Sequence, residues 1–95
     1  MEKNYSFTRH ARQRSAGRSI PQFVTEAILS YGNSWDAGAG ARKFSLTKEG
    51  MRELRQDEGR SFTNTINAYR CRNVYVIASA GRVVTVAYAS KSLFH

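Results

Sequence analysis

The sequence has 95 residues, 41% of them hydrophobic, and a formal net charge of +8. A chain of this length buries roughly 60–65% of the surface that its unfolded form exposes, which predicts a single domain over residues 1–95 with one modest core. The only cysteine, Cys71, excludes an internal disulfide, and the sequence has no Cys and His cluster of the kind that binds zinc, so we expect neither a metal nor a cofactor.

The positive charge, with a sequence pI near 10.3, indicates what kind of partner the protein would have. It favours polyanions, above all nucleic acid or an acidic protein surface. The alternative, which the charge supports equally, is a soluble basic protein whose charge serves no partner. The sequence contains neither the apolar core of a signal peptide nor a run of about 18 apolar residues, so we expect a cytoplasmic protein without membrane association.

The first predicted helix is rich in arginine and poor in apolar residues. Thr8 is a suitable N-cap, and the helix should reach to about residue 17. Its basic residues are Arg9, His10, Arg12, Arg14 and Arg18. His10, Arg14 and Arg18 follow one another at a spacing of four and form a stripe. Like charges at this spacing repel, so the stripe requires either screening by solvent and salt or an anion to bind.

A second helix is predicted to begin at Pro21 and to end at Gly32, with apolar residues at the three-to-four spacing of a core-facing helix. Residues 33–41 are small and glycine-rich, which predicts a mobile loop. In that loop Trp35 either covers the edge of the core or stacks on a base. The alternation in residues 41–46 predicts a strand with Arg42 directed outward.

The segment after this strand is harder to interpret from local patterns. Thr47 can cap a third helix over residues 48–58, but Gly50 and an unfavourable charge order predict a marginal, exposed and mobile element. Residues 60–72 are ambiguous, and a further strand in their second half is one interpretation.

Residues 73–88 carry the clearest pattern in the chain. Two β-branched and aromatic runs are joined by a short connection with Ala80 and Gly81, which is typical of an antiparallel hairpin. Both faces of the two runs are apolar. We therefore expect the hairpin in the middle of a sheet with cover on both sides.

Several of these features resemble a family of unknown function grouped with the RelE/ParE toxin superfamily. The matching residues are His10, Ala11, Arg14, Arg18 and Ile20, the helix ending at Tyr31-Gly32, and GRVVTV at 81–86. The resemblance covers most of the chain and implies an α+β fold with N-terminal helices packed on a twisted antiparallel sheet. It also implies a bacterial or phage toxin of a toxin–antitoxin system that acts on RNA or the ribosome and is neutralised by an antitoxin protein. Family members often continue the last strand with a histidine and further basic residues, and this chain departs from that pattern after Ala87.

A metal-independent endoribonuclease needs a base for the 2′-hydroxyl, cations for the phosphate and an acid for the leaving oxygen. His10 suits the role of base or acid, and Tyr88 or Lys91 could supply the other proton transfer. The residues predicted to bind nucleic acid are Arg9, Arg12, Arg14, Arg18, Arg42 and Arg82. The rival hypothesis is a non-catalytic binding or inhibitor protein that uses the same basic face for nucleic acid or for an acidic protein partner.

Overall fold

A computed structural model describes residues 6–9, 11, 13, 17 and 19–90. In chain order the elements are β1 (Ser6–Phe7), α1 (Gln22–Tyr31), β2 (Asn33–Gly38), β3 (Ala41–Ser45), α2 (Lys48–Glu58), α3 (Arg60–Arg70), β4 (Val74–Ser79) and β5 (Arg82–Tyr88). Arg9, Ala11, Gln13 and Gly17 are also helical. The predicted α+β class is confirmed.

The strands form one sheet in the order β1-β5-β4-β3-β2. The four strands β2 to β5 pair antiparallel, and β1 joins β5 in parallel over two residues. The predicted 73–88 hairpin is confirmed and lies inside the sheet. Its turn places Ala80 and Gly81 at φ values of 51° and 76°, as a two-residue hairpin turn with the native strand twist requires.

The helices pack on one face of this sheet. α1 contacts β3 and β4, and its Val24 and Ile28 are buried in the same core as Phe44 and Val76, which pair across β3 and β4. On β4 the buried residues alternate with partly buried ones. The second face of β4 is thus partly buried, and among the described residues no helix packs on it, so the expected cover on both faces is not seen there.

Residues 33–38 are a strand and not the mobile loop that we predicted. They pair with β3 through a turn at Ala39 and Gly40, both of which have positive φ values, 53° and 78°. The glycine-rich composition therefore marks the turn. The composition does not predict the strand before that turn, because the hydrogen bonds that define β2 come from β3.

α2 and α3 form a helical hairpin, so the strand considered for residues 60–72 was also wrong. Phe62, Ile66 and Tyr69 recur at helical spacing, and Ile66 is buried with Leu54 of α2. α2 is not merely exposed, since Leu54 and Gly50 are buried and the Thr47 hydroxyl oxygen accepts a hydrogen bond from the Gly50 N–H at 3.2 Å. The helix-before-sheet order implied by the resemblance is not observed either, because β1 precedes the helices and two helices separate β3 from β4.

Candidate nucleic-acid interface

The structure describes only part of the predicted site. His10, Arg12, Arg14, Arg18 and Lys91 lie outside the described residues, so their roles stay predictions. Arg9, Arg42, Arg82 and Tyr88 are described. Arg9 is exposed and directly follows Thr8, whose hydroxyl oxygen accepts a hydrogen bond from the Ala11 N–H at 3.1 Å.

Arg42 and Arg82 lie near the same end of the sheet but on opposite faces. Arg42 pairs with Ala78, which points toward the helices, whereas Arg82 pairs with Ser79, which points away from them. The Arg42 guanidinium donates to Ser34 Oγ at 2.9 Å and to the Ser34 carbonyl oxygen at 3.1 Å, so β2 holds it in place. Arg82 flanks the β4–β5 turn and is exposed.

Tyr88 lies at the other end of β5, about 20 Å along the strand from Arg82. Its hydroxyl oxygen is buried and has no hydrogen-bond partner among the described residues. The Arg72 guanidinium carbon is 4.2 Å from the centroid of its ring. Burial raises the pKa of Tyr88, and the charge of Arg72 offsets only part of this effect. Tyr88 is thus a neutral phenol at neutral pH, and the structure does not bring it together with Arg42 or Arg82.

The sheet face away from the helices presents aromatic and basic side chains, and we call it the open face. Trp35, Lys43, Ile77 and Thr85 stand in one row across β2, β3, β4 and β5 because each pairs with the next in register. Tyr75 lies on the same face by strand alternation. Arg82 also lies there, because a register shift in the β4–β5 pair matches it with Ser79. Trp35 is 41% exposed, and the others are exposed or partly exposed, none of them within the buried core.

The cation nearest the aromatic residues is Lys43. Its Nζ lies 4.4 Å from the centroid of the Tyr75 ring, and its cross-strand partner on the other side is Trp35. Among the described strand residues, the open face carries the charges of Lys43 and Arg82 and no carboxylate, since Asp36 pairs with Arg42 on the opposite face. The face therefore combines stacking surfaces with positive charge.

No protein-family model, curated protein or solved structure matches this chain. The open face must therefore be interpreted from its own chemistry. Within the described residues, no helix has the length and apolar character needed to cross a membrane. In that same part of the chain, no group of three or more His, Cys, Asp or Glu residues is placed to hold a metal ion.

Sequence reasoning found Arg82 and considered Trp35 but missed Lys43 and Tyr75 as site residues. The strand alternation of residues 74–79 does place Tyr75 opposite the buried Val74 and Val76, which is a usable local signal. Nothing local relates Tyr75 to Trp35, because they meet only through the registers of two strand pairs.

Proposed function

We propose that this protein binds single-stranded RNA on the open face. Trp35 and Tyr75 stack on bases, while Lys43 and Arg82 bind the phosphates. The observation that carries this proposal is the position of Lys43, whose ammonium group lies over one aromatic ring and whose neighbour in register is the other. Stacking on exposed rings selects single strands, because a duplex keeps its bases inside its own stack.

The interaction energies favour a base over the Lys43 ammonium on the ring of Tyr75. A cation over an aromatic ring at an exposed site contributes about 0.5–1 kcal/mol, whereas stacking of a base contributes about 1–3 kcal/mol. When a base displaces the Lys43 ammonium from Tyr75, the ammonium is free to bind the adjacent phosphate. Trp35 is on β2 and Tyr75 on β4, and these two β-strands are about 10 Å apart because β3 lies between them. The two side chains therefore suit two different bases of one RNA strand.

The choice of RNA and a relationship to the RelE/ParE superfamily are part of this proposal and rest on the sequence pattern alone. On the same basis the second candidate is a toxin-like endoribonuclease of the cytoplasm that acts on RNA or the ribosome and is neutralised by an antitoxin. Binding is favoured because Tyr88, the proton-transfer candidate that the structure describes, has a buried hydroxyl oxygen and lies at the other end of β5 from Arg82.

Binding can be measured with the fluorescence of Trp35, the only tryptophan in the chain. Titration with a short single-stranded RNA should quench its emission saturably, and the duplex of the same sequence should bind more weakly. Tyr75→Leu should lower the affinity for the single strand about tenfold. As a control, Phe23→Leu removes another exposed aromatic residue, on α1, and should leave the affinity unchanged.

Unchanged Trp35 emission in a complex that a mobility shift still detects would place the RNA elsewhere on the protein. Equal affinity for duplex and single strand would also contradict stacking. Gel analysis of the recovered RNA, with and without ribosomes, tests the second candidate. Fragments that the wild-type protein produces and His10→Ala does not would establish the endoribonuclease.

A further inference from the structure

A second basic feature lies in the helical layer, between α2 and α3. It is an open groove of about 540 Å³. The polar and charged residues that matter in its lining are Lys48, Arg52, Arg55, Arg60, Asn64 and Asn67. No residue of the open face contributes to it, so this α2–α3 groove is a separate feature.

The sequence of α2 explains why the groove is positive. Lys48, Arg52 and Arg55 follow at spacings of four and three and lie on one side of the helix. Asp57 lies on another side, where its Oδ2 accepts a hydrogen bond from the Tyr31 hydroxyl of α1 at 3.0 Å. α2 therefore presents Asp57 toward α1 and these three cations toward α3.

Among the described residues, the cations of the groove have no compensating partners. Within the part of the chain that the structure describes, none of Lys48, Arg52, Arg55 and Arg60 has a side-chain hydrogen bond or an ion pair. Lys48 and Arg52 are four residues apart, and like charges at that spacing destabilise a helix by a few tenths of a kcal/mol. An arrangement that costs stability and leaves several cations facing one space is what an anion site requires.

We propose that the α2–α3 groove binds a compact polyphosphate group. Guanidinium groups match phosphate oxygens in a bidentate manner, and Asn64 and Asn67 add amide donors. The volume is within the range of small-ligand sites, about 300–1,000 Å³, so one chain of linked phosphates fits beside the helices. Such a group is found in free polyphosphate and in the phosphates of a nucleotide.

The test is calorimetric titration of the full chain with tripolyphosphate at physiological salt. We expect saturable binding that Arg52→Gln/Arg55→Gln weakens at least tenfold. The charge-matched control is Arg42→Gln/Arg82→Gln, which also lowers the net charge of +8 by two and should change the affinity less than about threefold. Arg52→Lys/Arg55→Lys keeps the charge and loses the bidentate geometry of the guanidinium groups. It should lower the affinity by an intermediate amount.

Absence of saturable binding to the wild-type protein, or equal losses in the groove variant and its control, would overturn the proposal. Circular dichroism checks that the variants fold. If the glutamine variant does not fold, the lysine variant still tests the proposal. Titrations with ATP and adenosine identify the source: tighter binding of ATP than of tripolyphosphate supports a nucleotide, and equal binding supports polyphosphate. The groove variant should still show RNA quenching of Trp35, and loss of that signal would make the groove part of the RNA site instead.

Discussion

At the scale of single residues, Tyr88 shows how burial determines what a side chain can do. The phenol lies against the core with its oxygen inaccessible, and the Arg72 guanidinium covers its ring. A hydroxyl group in such a place loses its water without gaining a partner, which costs roughly 1–3 kcal/mol. Its proposed role in catalysis requires movement that would expose the oxygen.

Replacement of Tyr88 by phenylalanine should therefore leave the free energy of unfolding unchanged or raise it by up to about 1 kcal/mol. Because burial raises the pKa of folded Tyr88 above its ordinary value of 10.0, the stability of the wild-type protein should fall as the pH rises above that value. Unfolded Tyr88 releases its proton there while folded Tyr88 keeps it, and Tyr88→Phe should reduce this fall. Urea unfolding at neutral and alkaline pH measures both effects, with Tyr69→Phe as the control. A clear loss of stability in Tyr88→Phe would show that the hydroxyl has a partner.

At the scale of elements, α2 depends on close contact with α1. Local propensity predicts a weak helix, because Gly50 in its first turn costs about 1 kcal/mol relative to alanine. A Cβ atom at Gly50 would overlap the backbone carbonyl oxygen of Tyr31 and lie 3.4 Å from the Leu46 side chain. The absence of a side chain thus allows the start of α2 to approach the end of α1.

Gly50→Ala should consequently destabilise the protein by about 1–3 kcal/mol, the opposite of what helix propensity predicts. Gly17→Ala is the matched control, since Gly17 is helical and a Cβ atom there meets nothing within 4 Å. That control should raise the stability by about 0.5–1 kcal/mol. Denaturant unfolding of the two variants tests the contact, and a gain of stability in both would mean that α1 and α2 separate without cost.

At the scale of the whole molecule, the net charge of +8 is divided among distinct surfaces. The open face carries Lys43 and Arg82, and the α2–α3 groove carries its own four cations on the helical side. Sites that share no residues should contribute independently to binding.

The salt dependence of RNA binding should reveal this division. Each phosphate contact to single-stranded nucleic acid contributes about 0.7 to the slope of log affinity against log salt. Lys43→Gln/Arg82→Gln should reduce the slope by about 1.4, and Arg52→Gln/Arg55→Gln should leave it unchanged. Fluorescence titrations over a series of salt concentrations measure both slopes. Equal reductions in the two variants would indicate a diffuse attraction to net charge and not a site.

Wherever a local pattern was sufficient, the sequence alone determined the structure. The 73–88 hairpin follows from two β-branched runs around Ala80 and Gly81, and α1 follows from apolar spacing between Pro21 and Gly32. The limits of α2 follow from the cap at Thr47 and from Gly59. Each of these signals acts between residues that are close in the chain, so no knowledge of the fold is needed to interpret it.

The tertiary structure alone decided β2 and the open face, and it decided between helix and strand for residues 60–72. β2 is a strand because β3 supplies its hydrogen bonds, and the helical form of α3 buries Ile66 in the same core as Leu54 of α2. Lys43 lies over Tyr75 although the two are far apart in sequence, since the β3–β4 register brings them to one face. Strand pairing and core packing are free energies shared between distant segments, and a local pattern contains only one side of each such pair.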